Sequence, residues 1–255
     1  MIDPEALTQL VLKFAVKREG ERTLRRYFRF RLDRWYGGIA TADIVGCNLR
    51  CGMCWAWRNS SFRLDVGDFL APEQVAERLM ELAKTRGYTQ LRISGGEPTI
   101  AADHLIGVLK GIPHDYIFVV ETNGILIDDT LARRLAAFPN VVVRVSIKGA
   151  TPEEFELITM SPRAYFRRQL DAISNLVNAG MAPCRDVYPA AMLGFSTEES
   201  ARELERALAG IHPKLAECID VEYVILYPHV VKLMRARRLK PTRAVTPSGV
   251  PVSMI

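Results

Sequence analysis

The chain has 255 residues, of which 49% are hydrophobic, 25% charged and 8% aromatic, and its formal net charge is +5. This composition is typical of a globular chain with one sizeable core, and it excludes disordered, collagen-like and fibrous proteins. No run approaches the roughly 18 uninterrupted apolar residues that a membrane span needs, and the start, MIDPEALTQLVLKF, carries acids where a secretory signal has basic residues. We therefore expect a cytoplasmic protein with no membrane partner.

The first predicted unit, residues 1–37, combines a helix over Pro4–Arg18 with a basic connector. Between Lys17 and Arg34 eight basic residues outnumber three acids, and aromatic side chains are interleaved with them. Guanidinium groups neutralise phosphates and aromatic rings stack on bases, so RNA-binding surfaces use this mixture. A solvated charged face is the alternative, and the sequence leaves both open.

Residues 38–229 alternate short apolar runs with segments of helical apolar spacing. The predicted strands are Ile39–Ile44, Gln90–Ile93, Tyr116–Glu121, Val141–Ile147, Pro183–Pro189 and Ile219–Tyr227. The predicted helices are Pro72–Thr85, Ala101–Leu109, Thr130–Ala137, Ala164–Ala179 and Thr197–Leu208. This alternation predicts an α/β fold whose parallel sheet is either doubly wound or curled into an open barrel, because the units are too few for a closed eight-unit barrel.

The last unit, residues 230–255, is a basic tail with six basic residues and no acid. Its sequence PTRAVTPSGVPVS is typical of loop or partly disordered chain. We therefore expect one domain with two appended basic arms.

Three of the five cysteines lie directly after the first predicted strand. Cys47, Cys51 and Cys54 form the pattern C-x3-C-x2-C, and a loop at this end of a parallel strand is where ligands bind. A structural zinc site uses four ligands, typically in paired C-x2-C knuckles, and neither Cys184 nor Cys218 has a near partner to complete one. Three thiolates on a short loop favour a 4Fe-4S cluster with one iron open to another ligand.

We expect Cys184 and Cys218 to be small buried hydrophobic residues, away from this loop. Sparse cysteines with three crowded together indicate metal binding in a reducing compartment rather than a disulfide framework.

The cysteine loop resembles the signature of the radical S-adenosylmethionine (radical SAM) superfamily, and the resemblance extends from Ile39 to His229. It implies a partial (β/α)6 radical SAM barrel, flanked here by the N-terminal helical and basic extension and the basic C-terminal tail. It also implies that the three cysteines bind a 4Fe-4S cluster and that S-adenosylmethionine (SAM) chelates the fourth iron. Reductive cleavage of SAM then gives methionine and a 5′-deoxyadenosyl radical, which abstracts hydrogen from a substrate. The electron would come from a reductant protein such as ferredoxin or flavodoxin.

A second motif, SGGEP, follows the second predicted strand. Glycines let a backbone approach a ligand closely, and a carboxylate accepts from an ammonium group. The motif resembles one in the superfamily whose backbone and carboxylate hold the SAM amino group. This resemblance implies that role for Gly95, Gly96 and Glu97.

The ends of the third and fourth strands resemble those of glycyl-radical-enzyme activases. Thr122 and Asn123 stand in the first of these turns, and Ser146 and Lys148 in the second. The resemblance implies that Lys148 contacts the SAM carboxylate. Where the activases have an acid that contacts a ribose hydroxyl, this chain has Ser146, which implies a neutral and weaker hydrogen bond.

Two further residues take cofactor roles by the same resemblance. Met53 stands where the superfamily usually has an aromatic residue near the adenine, and a thioether offers a polarisable contact to a ring. His229 follows the last strand in the sequence YPH, where activases have a histidine that approaches the ribose. Trp55 is interpreted as a cover over the cluster, and the alternative is that Trp55 and Trp57 are ordinary core or interface aromatic residues.

These observations predict a radical SAM enzyme, with the substrate left open. The turn motifs favour a polypeptide, as in the activases, whereas the basic aromatic arms favour tRNA or another nucleic acid. A small-molecule substrate stays open as well. From a different class, a non-catalytic metal-containing module that binds RNA is the alternative, and SGGEP and Lys148 argue against it.

Overall fold

The computed structural model describes residues 1–60 and 66–250. The strands are β1 (Val16–Glu19), β2 (Arg22–Asp33), β3 (Ile39–Ile44), β4 (Asp68–Leu70), β5 (Gln90–Ser94), β6 (Ile117–Thr122), β7 (Val141–Ile147), β8 (Val187–Met192) and β9 (Asp220–Glu222). The α-helices are α1 (Pro4–Ala15), α2 (Trp57–Ser60), α3 (Pro72–Lys84), α4 (Ala102–Lys110), α5 (Asp129–Ala136), α6 (Pro152–Thr159), α7 (Tyr165–Asn178), α8 (Glu198–Ile211) and α9 (Pro228–Ala236). Short 3-10 turns lie at Trp35–Gly37, Pro98–Ala101 and Pro213–Ala216.

The described strands form one mixed sheet in the order β1-β2-β3-β5-β6-β7-β8-β9, with β4 paired to β2. From β3 to β9 every neighbouring pair is parallel, whereas β2 is antiparallel to β1, β3 and β4. The parallel part is a partial α/β barrel that does not close. The predicted fold class is therefore confirmed.

The parallel strands are largely buried on both faces, but only one face packs apolar residues into the core, whereas the other carries polar and charged residues such as Arg92 and Arg144. Every residue of β3 is buried, and β7 is buried except for one half-buried position. The helices begin at residues that satisfy their first backbone N–H groups. Asp128 accepts from Leu131 N at 2.7 Å before α5, and Thr197 caps α8. These signals explain why the central elements follow the predicted ranges closely.

Strand β8 lies later in the chain than predicted, at Val187–Met192, and β9 is shorter than predicted. A turn in which Asp186 N donates to Ala182 O at 2.8 Å precedes β8, so this strand begins at Val187 instead of Pro183. Strand β9 ends at Glu222, and Pro228 already occupies the first turn of α9. Proline favours that position because its missing N–H would have no helical partner there.

The prediction of a basic connector in the N-terminal unit is wrong. Helix α1 ends at Ala15, and the chain from Val16 to Asp33 forms the β1–β2 hairpin, which joins the same sheet as the barrel. Its turn contains Gly20 with φ +61, a conformation that glycine adopts without strain. The division into units 1–37, 38–229 and 230–255 stays a prediction.

The tail is more ordered than its composition indicates. Its first residues belong to α9, Leu239 is buried, and Val245 N donates to Val224 O at 2.9 Å. Residues 251–255 of the predicted tail lie outside the described residues.

The expectation that Cys184 and Cys218 are separate buried hydrophobic residues is also wrong. They form a disulfide bond, with their Cα atoms 5.7 Å apart, and Cys184 is exposed. Because β8 and β9 are parallel neighbours, the segments that precede them lie side by side. The 34-residue separation hides this proximity in the sequence.

Over the residues that the structure describes, no helix is long and apolar enough to cross a membrane.

Candidate active site

The twelve predicted site residues line a single cavity of about 1420 Å³ at the carboxyl edge of the parallel strands. They are Cys47, Cys51, Met53, Cys54, Gly95, Gly96, Glu97, Thr122, Asn123, Ser146, Lys148 and His229. The structure thus brings together residues that come from every part of the barrel. Their individual roles stay predictions.

The three cysteines occupy the loop that follows β3. Cys54 N donates to Cys51 O at 3.2 Å, and Leu49 N points at the Cys47 sulfur at 3.4 Å. Burial raises the pKa of the Cys47 and Cys51 thiols to about 12; the charge of Glu97 adds to the shift at Cys47, whereas the charge of Lys148 opposes it at Cys51. A bound cation would instead favour the thiolate form of these cysteines, because a coordinating thiol loses its proton.

The cysteine loop fits an iron–sulfur cluster better than a single ion. Within residues 1–60 and 66–250, no three His, Cys, Asp or Glu side chains are arranged to hold one metal ion. In a 4Fe-4S cluster each thiolate binds a different iron, so the sulfur atoms stand farther apart than the ligands of one ion. Three cysteines at the wall of one cavity, with space beside them, match such a cluster with one iron open.

The SGGEP turn packs directly against this loop. Glu97 N donates to Gly46 O at 3.0 Å, and a Cβ built on Gly96 would overlap the same carbonyl oxygen. Gly95 has φ +85, which favours glycine. Glycine at position 96 therefore allows the turn to reach the cysteine loop.

The Glu97 carboxylate connects this turn to the end of β6. It accepts from Thr99, from Thr122 Oγ1 at 2.7 Å and from Asn123 N at 2.8 Å. Burial raises the pKa of Glu97 although these donors oppose the shift. Asn123 in turn donates to Asn48 Oδ1 at 2.7 Å, beside Cys47. The carboxylate is thus held in a fixed position on the cavity wall.

Lys148 and Ser146 meet a carboxylate that the sequence analysis did not identify. Glu222, on β9, accepts from Ser146 Oγ at 2.6 Å, from Lys148 Nζ at 3.1 Å and from Arg144 Nη1 at 2.7 Å. Lys148 Nζ also donates to Ser146 Oγ. Burial alone would raise the pKa of Glu222, but the charges of Lys148 and Arg144 hold it at about 2. The sequence signal that could have found Glu222 is the alternation of side chains along β9, which places Glu222 and Asp220 on the same face of the strand.

Two basic residues of β2, Arg29 and Arg31, line the cavity. Arg29 and Arg31 both form ion pairs with the buried Asp43, at 2.7 Å in each case. Arg92, on β5, pairs with Asp33 at 2.5 Å and with Glu121 at 2.9 Å. These pairs make the wall polar while neutralising most of its positive charge.

Aromatic side chains line the outer part of the cavity. His229 Nε2 lies 2.7 Å from the backbone oxygen of Trp55, and the His229 ring stacks on Tyr227 with the centroids 5.7 Å apart. Trp55 is 42% exposed, so it is not a core residue. Met53 is buried, and its side chain belongs to the core while lining the cavity.

An open α/β barrel with three cysteines in the loop after its first parallel strand has the arrangement expected of an iron–sulfur enzyme. The sequence profile of the Radical SAM superfamily matches residues 42–207. The chain therefore belongs to the radical SAM superfamily, whose members are enzymes that use a 4Fe-4S cluster and SAM.

Curated relatives match part of the chain. Mycofactocin maturase MftC of Mycobacterium ulcerans is 32% identical over 139 residues, which are 54% of this chain and 36% of the relative. A probable GTP 3′,8-cyclase of Saccharolobus solfataricus is 25% identical over 236 residues, 82% of this chain and 70% of the relative. The matched part of the chain spans only about a third of the length of the MftC relatives.

Solved structures show a similar fold at low sequence identity. HydG, a maturase of the [FeFe]-hydrogenase, has a TM-score of 0.57 and 17% identity, covering 73% of this chain and 44% of HydG. Streptococcus suis SuiB bound to its precursor peptide SuiA has a TM-score of 0.52 and 15% identity, covering 79% of this chain and 46% of SuiB. These likenesses support the partial barrel.

Proposed function

We propose that this enzyme cleaves SAM reductively at a cluster bound to Cys47, Cys51 and Cys54 and directs hydrogen abstraction at a polypeptide. The cluster, when bound, passes the electron that breaks the sulfonium C–S bond of SAM. The observation that carries the proposal is the shared cavity of about 1420 Å³. Pockets for small ligands usually have about 300–1,000 Å³, so there is room for a substrate beside SAM.

In this proposal the chain's own residues fix SAM by its charged groups. Glu97 accepts from the SAM ammonium, because its second carboxylate oxygen has only the Asn123 N–H as a partner among the described residues. The ammonium group of Lys148 has three N–H donors, of which two donate to Ser146 and Glu222, and the third donates to the SAM carboxylate. Met53 and His229 contact the nucleoside. A ferredoxin or flavodoxin supplies the electron.

A polypeptide fits the wall of the cavity better than a polyanion. Arg29, Arg31, Arg92 and Arg144 line the cavity, and each already pairs with a carboxylate of the chain. A phosphate would have to displace these acids, whereas a peptide backbone brings both donors and acceptors. The maturase relatives and the peptide-bound SuiB are consistent with this substrate class.

RNA is the weaker candidate because Arg29 and Arg31 of the basic segment line the cavity and pair with Asp43, which leaves Lys17, Arg18, Arg22 and Arg34 as its exposed basic residues that do not line the cavity. Arg25, within the basic segment, is buried and donates to Ala15 O at 2.9 Å. A nucleotide is the second candidate, since the GTP 3′,8-cyclase relative covers 82% of this chain.

Deuterium transfer tests the substrate class. The enzyme, reconstituted with iron and sulfide and reduced by dithionite, receives SAM and extract from cells grown in deuterated medium, and the 5′-deoxyadenosine formed is analysed by mass spectrometry. We expect deuterium in this product, and we expect prior digestion of the extract with a protease, which is then inactivated, to abolish it. Transfer that survives the protease but is lost after nuclease treatment would contradict the polypeptide, and transfer that survives both would indicate a small molecule.

A further inference from the structure

Arg237, which follows α9, reaches back to the cysteine loop. Its Nη1 donates a hydrogen bond to the backbone oxygen of Arg50, one residue before Cys51. Its guanidinium lies over the Trp57 ring, with Cζ 4.8 Å from the ring centroid. Two contacts, one on each side of the Cys51 to Cys54 segment, therefore hold the guanidinium in place.

The stem of the same side chain crosses the loop at Gly52. A Cβ built at Gly52 would lie 3.1 Å from Arg237 Cδ and would overlap the side chain of Leu239, which is itself buried. Glycine at this position lets the tail pack directly on the backbone between Cys51 and Cys54. Arg237 is thus part of the packed structure around the cysteines.

The charge of Arg237 lies close to the cysteine loop. Among the described residues, no carboxylate forms an ion pair with Arg237. Burial lowers the pKa of Arg237, and the negative charges of Cys51 and Cys54 oppose this shift. The positive charge of Arg237 therefore lies between its contacts at Arg50 and Trp57, beside the Cys51–Cys54 segment.

We propose that Arg237 is a positioning residue that raises the reduction potential of the cluster on Cys47, Cys51 and Cys54. The inference rests on the proposed assignment of those cysteines. In the reduction step the oxidised cluster accepts one electron from the external reductant, and its total charge becomes more negative by one. A fixed positive charge nearby stabilises the reduced form more than the oxidised form, which moves the potential upward.

Two substitutions separate charge from hydrogen bonding. Arg237→Gln removes the charge and keeps an N–H donor for Arg50 O, whereas Arg237→Lys keeps the charge. The cluster in the full chain is reconstituted with iron and sulfide, and its midpoint potential is measured without SAM by redox titration followed by electron paramagnetic resonance. We expect Arg237→Gln to make reduction about tenfold less favourable, which is about 59 mV for one electron, and Arg237→Lys to stay close to wild type.

Arg235 supplies the matched control, because it lies on the last turn of α9 and is exposed. Arg235→Gln makes the same change in net charge and should leave the potential unchanged. Equal potentials for wild type and Arg237→Gln, measured on the iron-loaded fraction, would overturn the inference and leave the cysteine assignment intact. Equal shifts in the Gln and Lys variants would also overturn it, since geometry rather than charge would then be responsible. Failure of the wild-type chain to take up a cluster would instead overturn the cysteine assignment.

Discussion

The ammonium group of Lys148, which directly follows β7, lies 3.1 Å from a carboxylate oxygen of Glu222 on β9, although β8 separates these two strands. Ser146 and Arg144 donate to the same carboxylate. One acid on β9 therefore neutralises two buried cations and fixes Lys148 on the cavity wall.

Replacing Glu222 by Gln should destabilise the protein, because the substitution leaves Lys148 and Arg144 buried without their shared acid. Removing one partner of a buried ion pair costs about 3–5 kcal/mol, and we expect a loss of this size in the free energy of unfolding measured with urea. Asp220→Asn is the control, since Arg144 is the one ion-pair partner of Asp220 among the described residues and Asp220 is more exposed than Glu222. Equal losses in both variants would show that the link to Lys148 contributes nothing.

Lys148→Ala should weaken SAM binding about 10- to 100-fold, because it removes a charge-assisted contact worth about 1.5–3 kcal/mol. Glu97→Gln should weaken binding in the same direction by removing the charge that faces the SAM ammonium. Calorimetric titration of the reconstituted protein with SAM measures both effects. Lys232 lines the same cavity and is exposed, so Lys232→Ala tests whether the overall charge of the cavity matters. A loss as large as that of Lys148→Ala would argue against a specific contact.

Substitution of any one of Cys47, Cys51 and Cys54 by Ala should abolish the brown, oxygen-sensitive cluster of the reconstituted protein. Each thiolate holds a different iron, so the loss of one destabilises the whole cluster. Iron and sulfide content per chain gives the measurement. The double variant of Cys184 and Cys218 to Ser should keep its iron, because these residues form the disulfide and do not line the cavity. Retention of a cluster in the triple variant of the cavity cysteines would contradict the assignment.

Local sequence signals were sufficient to predict the strands and helices of the barrel. The apolar runs of β3 and β7 and the helix starts at Pro72 and Thr197 are properties of short segments, and the structure has them close to the predicted positions. The C-x3-C-x2-C loop and SGGEP are local as well. Because strands of a parallel sheet end at one edge, their separate positions in the chain already predicted a common site.

Contacts between distant segments were not predictable in this way. Glu222 and Lys148 are 74 positions apart in the sequence, and Arg237 and Arg50 are 187 apart. The periodicity of the sequence does not predict contacts between such distant residues. The basic connector was misinterpreted for the same reason. Arg25 is buried and donates to the backbone oxygens of Ala15 and Gly46, which are distant in the sequence. The disulfide between Cys184 and Cys218 likewise depends on the adjacency of β8 and β9.

The stability of the fold should depend on pH through His104, on α4. His104 Nδ1 lies 2.8 Å from the backbone oxygen of Thr23 and therefore donates to it, while Nε2 accepts from Tyr27 at 3.0 Å. Burial lowers the pKa of His104 from 6.5 to about 4, so the unfolded chain binds a proton at a pH where the folded chain does not. The free energy of unfolding should then fall as the pH drops from about 6.5 towards 4, by on the order of 3 kcal/mol from this group. Urea unfolding of wild type and His104→Gln across this range isolates the effect, because the carboxylates common to both cancel in the difference. We expect the variant, although less stable at neutral pH, to lose less stability on acidification, whereas the exposed His114→Gln should follow wild type. Parallel pH profiles for wild type and His104→Gln would show that His104 is protonated alike in the folded and unfolded chains.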